Sequence, residues 1–254
     1  MLYLNDVPVV PTVFPDGTSQ VWKVDAPKDG LVVVRWEFEH EGEVMHLLQL
    51  AMLLKSMDCD ASLDVPFLPY GRQDKSVGNE STFALHALGK ILSECGFFEV
   101  RTTDAHSKVL AEYVHLVDDF PEIPIRLAIE RVAANVLCFP DHGAHMRYRS
   151  LKTRCTHLVL EKLREQQTGT ITGIRMAGGC VVDGDIVLIV DDICDGGRTF
   201  IEAAKLIKEN APGAQVHLYV SHGIFSKGLL PLWDAGIGRI FTKDGEVYEP
   251  ILSN

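Results

Sequence analysis

Residues 185–199 read DIVLIVDDICDGGRT. An apolar, β-forming run ends in two carboxylates, Asp191 and Asp192. Asp195, Gly196 and Gly197 follow, then Arg198, Thr199 and a helical periodicity. That order spells a buried strand, a tight turn and a helix start. A turn at a helix N-terminus exposes backbone N–H groups able to cradle a phosphate. Gly196 and Gly197 let the backbone approach closely, and Thr199 adds a hydroxyl donor. Asp191 and Asp192 would hold sugar hydroxyls, directly or through Mg2+. The structural alternative is a capped helix with incidental acids. Two adjacent carboxylates closing an apolar strand are costly unless used, which favours a ligand site. The chain has no GxxxxGK[ST] and no GxGxxG after an early strand, so it carries neither a Walker A loop nor a dinucleotide fingerprint.

Outward from this segment, apolar runs alternate with helical stripes. Further strands are expected at residues 31–36, 63–68, 97–103, 136–139, 157–160 and 216–220. The run at 31–36 reads as a buried strand. Val44, Leu47, Leu48, Ala51 and Leu54 mark one helix face, and Leu85, Leu88, Leu92 and Cys95 another. Residues 200–208 and 229–233 supply later helices. This rhythm predicts an α/β protein with mainly parallel sheets flanked by helices. Such sheets place working residues beyond the carboxyl ends of their strands. Here those ends run into PYGRQDK, TTDAH, FPDHG, DDICDGGRT and SHG. A boundary near residues 120–125 (DDFPEIP) predicts an N-terminal lobe over 1–122 and a C-terminal lobe over 123–254.

A length of 254 residues suffices for a core that needs neither metal nor disulfides. The six cysteines are scattered, with no CxxC pair, which reads as reduced thiols in a cytoplasmic protein. The start has no basic n-region, and no apolar run approaches about 18 residues, so neither a secretory signal nor a membrane helix is expected. A net charge of −11 argues against coating a nucleic acid, but a few local cations and a metal suffice for a phosphate substrate.

Segments in one order along the chain carry a resemblance. They are FPDGTSQV (14–21), PFLPYGRQDK (66–75), TTDAHS (102–107), FPDHGAHMR (139–147), LEKLREQQ (160–167), DDICDGGRT (191–199) and SHGIFSKG (221–228). Together they resemble the ribose-phosphate diphosphokinase (phosphoribosyl-diphosphate synthetase) family, which has the type I phosphoribosyltransferase fold. The chain looks like a shortened and divergent member. The resemblance implies two similar phosphoribosyltransferase-like lobes, with ATP-binding elements in the first and the sugar-phosphate and diphosphate loops in the second.

The resemblance also implies roles. Arg72, Gln73, Asp74, Lys75 and His106 would bind ATP, with Phe14 and Asp16 reaching the ATP of a neighbouring subunit in a homo-oligomer. Lys162 and Arg164 would clamp the migrating diphosphoryl group from a flexible catalytic loop, with His106 beside them in catalysis. Asp141, His142 and Gly143 would form the diphosphate loop, and His106 and Asp141 would meet Mg2+. Asp191, Asp192, Asp195, Gly196, Gly197, Arg198 and Thr199 would hold the sugar phosphate. The implied reaction transfers the β,γ-diphosphoryl group of ATP to an anomeric hydroxyl and releases AMP. A phosphoribosyltransferase and a non-catalytic regulatory subunit are the alternatives.

Several positions depart from the family pattern. Thr18 stands where the family has Glu. The loop at 142–145 is His-Gly-Ala-His instead of the commoner Ala-Gly-Gly-Ala. Where the family has Asp-Thr-small-Gly-Thr, this chain has Asp195-Gly196-Gly197-Arg198-Thr199. Gly196 opens space, and Arg198 either crowds the phosphate cup or adds a charge outside it. The acceptor is therefore expected to be either ribose 5-phosphate or a 5′-extended form such as ADP-ribose, linking the protein to nucleotide biosynthesis or NAD metabolism.

Overall fold

The computed structural model describes residues 1–27, 31–164 and 171–250, with the side chains of residues 164, 171 and 172 outside that description. The chain divides into two compact units, Met1–Phe120 and Pro121–Asn254.

In the first unit, β1 (Leu2–Leu4) and β2 (Val7–Val9) form a hairpin, and a second small hairpin pairs β3 (Thr12–Val13) with β4 (Ser19–Gln20). Strands β5 (Leu31–Trp36), β6 (Asp60–Asp64), β7 (Val100–Thr103) and β8 (Leu116–Asp119) are parallel neighbours, and β1 joins the β5 edge antiparallel. Helices α1 (Gly42–Ser56) and α2 (Ala84–Cys95) return the chain between strands. Their stripes, Leu47, Leu50, Leu54, Leu85, Leu88 and Leu92, pack with Val32, Val34 and Trp36. β5 is therefore half buried: Leu31 and Val33, on its other face, are exposed. The expectation of a buried strand fails here because α1 and α2 pack on the face that carries Val32, Val34 and Trp36. β6 also begins earlier than expected, since Asp60 already pairs with Leu31 of β5, and ends earlier, because Pro66 has no N–H to continue a ladder.

In the second unit, α3 (Glu122–Val132) precedes β9 (Val136–Phe139), α4 (His142–Tyr148), β10 (Thr156–Arg164), β11 (Ile171–Gly178), β12 (Ile186–Cys194) and α5 (Arg198–Asn210). Then come β13 (Gln215–Gly223), α6 (Leu230–Asp234), β14 (Ile237–Thr242) and β15 (Val247–Tyr248). The sheet order is β11-β10-β9-β12-β13-β14-β15, parallel from β10 to β14 and antiparallel at both edges. Its inner strands are covered on both faces, which is why VLCF and IVLIV are continuous apolar runs. Leu137, Phe139, Leu188, Val190 and Tyr219 pack with α3 and α4. Cys138, Val187, Ile189, Leu218 and Val220 pack with α5 and α6.

Two sheets, each mixed but mainly parallel and flanked by helices, match the expected α/β class. β10 pairs with β9 only from Thr156 to Val159, and from Leu160 to Arg164 its partner is β11 alone.

One close approach in the first unit is testable. An added Cβ on Gly89 of α2 would lie 2.5 Å from Cδ2 of Tyr113, whose hydroxyl bonds to Nδ1 of His86. Ala gains about 1 kcal/mol of helix propensity over Gly, whereas overpacking a pinned ring costs about 1–3 kcal/mol. Gly89→Ala is therefore expected to lower the urea midpoint, and the double variant with Tyr113→Ala to recover part of the loss. An unchanged or raised midpoint for the single variant would refute this packing.

Candidate functional site

Parallel pairing aligns the carboxyl ends of β9, β12 and β13, so the segments after them share one rim. Asp191 and Asp192 lie inside β12, which runs further than the apolar run suggests because Asp191, Ile193 and Cys194 pair along β13. Asp192 is 3% exposed and forms a close ion pair with Arg147 of α4. Its carboxylate also accepts the N–H of Ile193 at 2.9 Å. Asp191 accepts the N–H of Asp192 at 3.0 Å. Burial, then the charges of Asp192 and Asp141, push the Asp191 carboxyl well above the usual range.

Asp141 follows β9 in extended conformation and caps α4, with Oδ1 accepting from the Ala144 N–H at 3.0 Å. The expected diphosphate loop is thus a helix start: His142 and Gly143 already belong to α4. A Cβ on Gly143 would sit 3.1 Å from that same oxygen, so a small residue keeps the cap close. His145 turns its ring against Phe139 and His157, while His142 is exposed. Oδ2 of Asp141 receives Nζ of Lys162 at 3.3 Å. Lys162 lies on β10 opposite Ile174, on a strand and not on a loop. Arg164 ends the same strand, and its side chain lies outside the described residues.

The turn after β12 is built for glycine at 197. Its φ is +74°, and an added Cβ would sit 3.0 Å from Leu232 of α6. The N–H groups of Phe200 and Ile201 both reach the Gly197 carbonyl and close the first turn of α5. Thr199 is half-buried in that turn. Arg198 does not crowd it: its Nε bonds to Glu202 at 2.7 Å, one helical turn on, and its side chain is 80% exposed. Asp195 accepts the Ser226 hydroxyl at 2.5 Å, tying the turn to the segment after β13.

The first unit carries its own cluster. Arg72, Gln73 and Lys75 are exposed and Asp74 is half-buried, in the connection between β6 and α2. A Cβ on Gly71 would lie 3.5 Å from the His106 Cβ, which brings this connection against the segment after β7. Tyr70 and Asp104 flank it with left-handed φ values of +61° and +50°. Such backbone is unfavourable for non-glycine residues and clusters at working sites. Phe14 and Asp16 form the tip of the β3–β4 hairpin, where Asp16 accepts both the hydroxyl and the N–H of Thr18. Those bonds hold the Asp16 carboxyl below its ordinary range. Thr18 is thereby committed within the hairpin.

His106 and Asp141, both expected at a metal, belong to separate units. Among the described residues no group of three or more His, Cys, Asp or Glu is arranged to hold a metal ion. What the second unit assembles is a rim of three carboxylates, Asp141, Asp191 and Asp192, against two cations, Lys162 and Arg147. Sequence reasoning took Arg147 only as the basic end of a motif and gave no part to Ser226 or Lys227. The rim rule applied to the end of β13 would have drawn attention to that last pair.

The phosphoribosyl transferase domain family matches residues 155–242, which hold the Lys162 strand and the glycine turn. A ribose-phosphate pyrophosphokinase of Methanothermobacter thermautotrophicus is 25% identical over 243 residues, 93% of this chain and 84% of that protein. The enzyme of the same name from Granulibacter bethesdensis is 28% identical over 170 residues, 65% of this chain and 54% of its own length. The chain is homologous to the ribose-phosphate pyrophosphokinases. It spans about half the length of some of these relatives, 54% and 56% in two of them. The crystal structure of phosphoribosylpyrophosphate synthetase from Mycobacterium smegmatis superposes with a TM-score of 0.74 at 21% identity, covering 93% of this chain and 80% of that one. That likeness gives the fold: a two-lobed, phosphoribosyltransferase-like α/β protein.

Because the raised Asp191 pKa disfavours the charged form in the folded state, Asp191→Asn is expected to raise the melting temperature at pH 7. The advantage should shrink as pH falls through the raised value, and vanish below the ordinary carboxylate value, where folded and unfolded wild type are both protonated. Thermal melts of both proteins across that range check it; a less stable variant at pH 7 would contradict the assignment.

Proposed function

We propose that the protein is an ATP-dependent diphosphokinase acting on the anomeric hydroxyl of a ribose 5-phosphate moiety. The observation that carries this reading is the meeting of Lys162, Asp141 and Asp191 on one rim beside the glycine turn, in a chain homologous to ribose-phosphate pyrophosphokinases. The 1-OH oxygen would attack the β-phosphorus of ATP. The bond between that phosphorus and the bridging α,β oxygen breaks, AMP leaves with that oxygen, and the hydroxyl proton is released.

Each group has a task in this reaction. The turn at 195–199 supplies backbone N–H groups to the 5-phosphate. Asp191 accepts hydrogen bonds from the ribose hydroxyls in this reading, while Asp192 stays bound to Arg147. Lys162 stabilises charge on the migrating diphosphoryl group, exchanging Asp141 for phosphate oxygens. Arg72, Gln73, Asp74, Lys75 and His106 hold the nucleotide in the first unit, and Phe14 and Asp16 serve the ATP of a neighbouring copy in a homo-oligomer.

The residues suit Mg2+ delivered with the nucleotide better than a resident ion. Mg2+ commonly uses one or two carboxylates plus substrate phosphates and water. Burial first, and then the charges of Asp192 and Asp141, raise the Asp191 pKa, and an added cation would relieve the charge part. When bound, Mg2+ would neutralise polyphosphate charge, with Asp141 and His106 as its nearest protein groups in the family pattern.

The acceptor is ribose 5-phosphate or a 5′-extended form such as ADP-ribose. Phosphoribosyl transfer is the second reading, since the matched domain family bears that name. With Mg-ATP and either acceptor, AMP release equal to acceptor consumed is expected. Lys162→Ala should lower kcat about 10²–10³-fold without changing the circular dichroism spectrum. Absence of AMP, with base-dependent release of diphosphate from phosphoribosyl diphosphate, would replace this reading with phosphoribosyl transfer. Absence of both would leave the non-catalytic subunit.

A further inference from the structure

We propose that Lys227 forms a second phosphoryl subsite beside the glycine turn, selecting acceptors whose ribose 5-position carries a diphosphate ester over those with a single phosphate. The inference rests on the reading of residues 195–199 as the sugar-phosphate turn.

The backbone fixes where Lys227 stands. After β13, the N–H groups of Ile224 and Phe225 both donate to the Cys194 carbonyl, at 2.8 and 3.1 Å. The chain then turns, and the Gly228 N–H returns to the Phe225 carbonyl at 2.8 Å. Phe225, at φ +47°, folds back over Gly223, where an added Cβ would lie 2.1 Å from its ring, and meets Tyr248 edge-on at 5.6 Å. Ser226 is bonded to Asp195. Residues 224–228 are therefore stitched to the end of β12 and the turn after it by backbone and hydroxyl bonds, and to β13 and β15 through the Phe225 ring, so Lys227 is presented from a built turn.

Its stem lies over the open position in the glycine turn. A Cβ built on Gly196 would meet Cε, Cδ and Cγ of Lys227 at 3.5, 3.6 and 4.0 Å. The Lys227 stem thus runs beside the turn at Gly196, just far enough away that an added methyl there would meet it in ordinary van der Waals contact. The ammonium forms no ion pair with a carboxylate among the described residues, although the chain is strongly acidic. The other cation of the turn is already committed, since Arg198 is bonded to Glu202. Asp195, the acid of the glycine turn, accepts the Ser226 hydroxyl.

A phosphate monoester is satisfied by the N–H groups and hydroxyl of the turn. A point charge with rotatable donors just outside that turn adds affinity only when a further anionic group extends beyond it. The 5′-diphosphate of ADP-ribose is such a group, and ribose 5-phosphate has none.

The test measures binding without ATP. Isothermal titration calorimetry with ADP-ribose and with ribose 5-phosphate is run on wild type, Lys227→Met and Lys227→Arg. Met keeps the stem over Gly196 and removes the charge. Wild type is expected to prefer ADP-ribose, Lys227→Met to reduce the ratio of the two affinities about tenfold, and Lys227→Arg to retain it. An unchanged ratio in Lys227→Met, or an equal loss for both ligands, would overturn the subsite. AMP release assayed on the same preparations separates the two claims. Loss of the ratio with no ATP-dependent AMP would overturn the diphosphokinase reading and leave the subsite standing. Normal AMP release with an unchanged ratio would do the reverse. Failure of wild type to bind either ligand would overturn both.

Discussion

The ion pair between Arg147 and Asp192 divides the labour between two adjacent carboxylates. Asp192 is nearly without solvent contact, and an unpaired charge there would be strongly unfavourable. Arg147 supplies the countercharge from α4, a helix that Asp141 itself caps. Asp191 forms no ion pair among the described residues. It is raised in pKa by burial first and then by the charges of Asp192 and Asp141. The same arrangement fixes α4 against β12 and leaves one carboxylate unneutralised where a ligand or its metal can use it. Lys162 completes the pattern from the other side by bonding to the capping aspartate.

This rim also explains why the second unit has apolar strands on both faces while the first does not. Helices on both sides of β9, β12 and β13 bury most of their length. The acidic groups of the rim lie towards the carboxyl ends of β9 and β12. In the first unit β5 alternates, and its polar cluster sits instead in the long connection between β6 and α2, braced by left-handed Tyr70 and Asp104.

Much of this was legible in the sequence where apolar patterning decides structure. Residues 136–139 and the α2 stripe stand where periodicity puts them, the α1 face does so except that Leu50 and not Leu48 enters the core, and β12 was legible in all but its length. Asp191 and Asp192 read as a strand terminus, yet the strand continues to Cys194, because pairing with β13 is a tertiary fact that hydrophobicity does not record. The hairpins at the N-terminus, the edge strands β11 and β15, and β14 beside β15 carry weak patterns of their own. His142 and Gly143 read as loop residues, and one Asp cap made them helical. The direction of Arg198 was open in the sequence and is settled by Glu202 four residues on, an ordinary helix-surface pair. Ser226 and Lys227 meet Asp195 and Gly196 across about thirty residues of chain, a contact no local pattern announces.

Lys162 stands on a cantilever. The backbone ladder between β10 and β9 stops at Val159, and from Leu160 onward the strand is supported by β11 alone, with register shifts at both ends of that stretch. A two-stranded ribbon twists and bends more readily than an inner strand. The ammonium of Lys162, held to Asp141, is therefore a latch between a compliant arm and a rigid sheet. A change of charge partner at this one nitrogen would therefore act on a strand segment that has one neighbour instead of two.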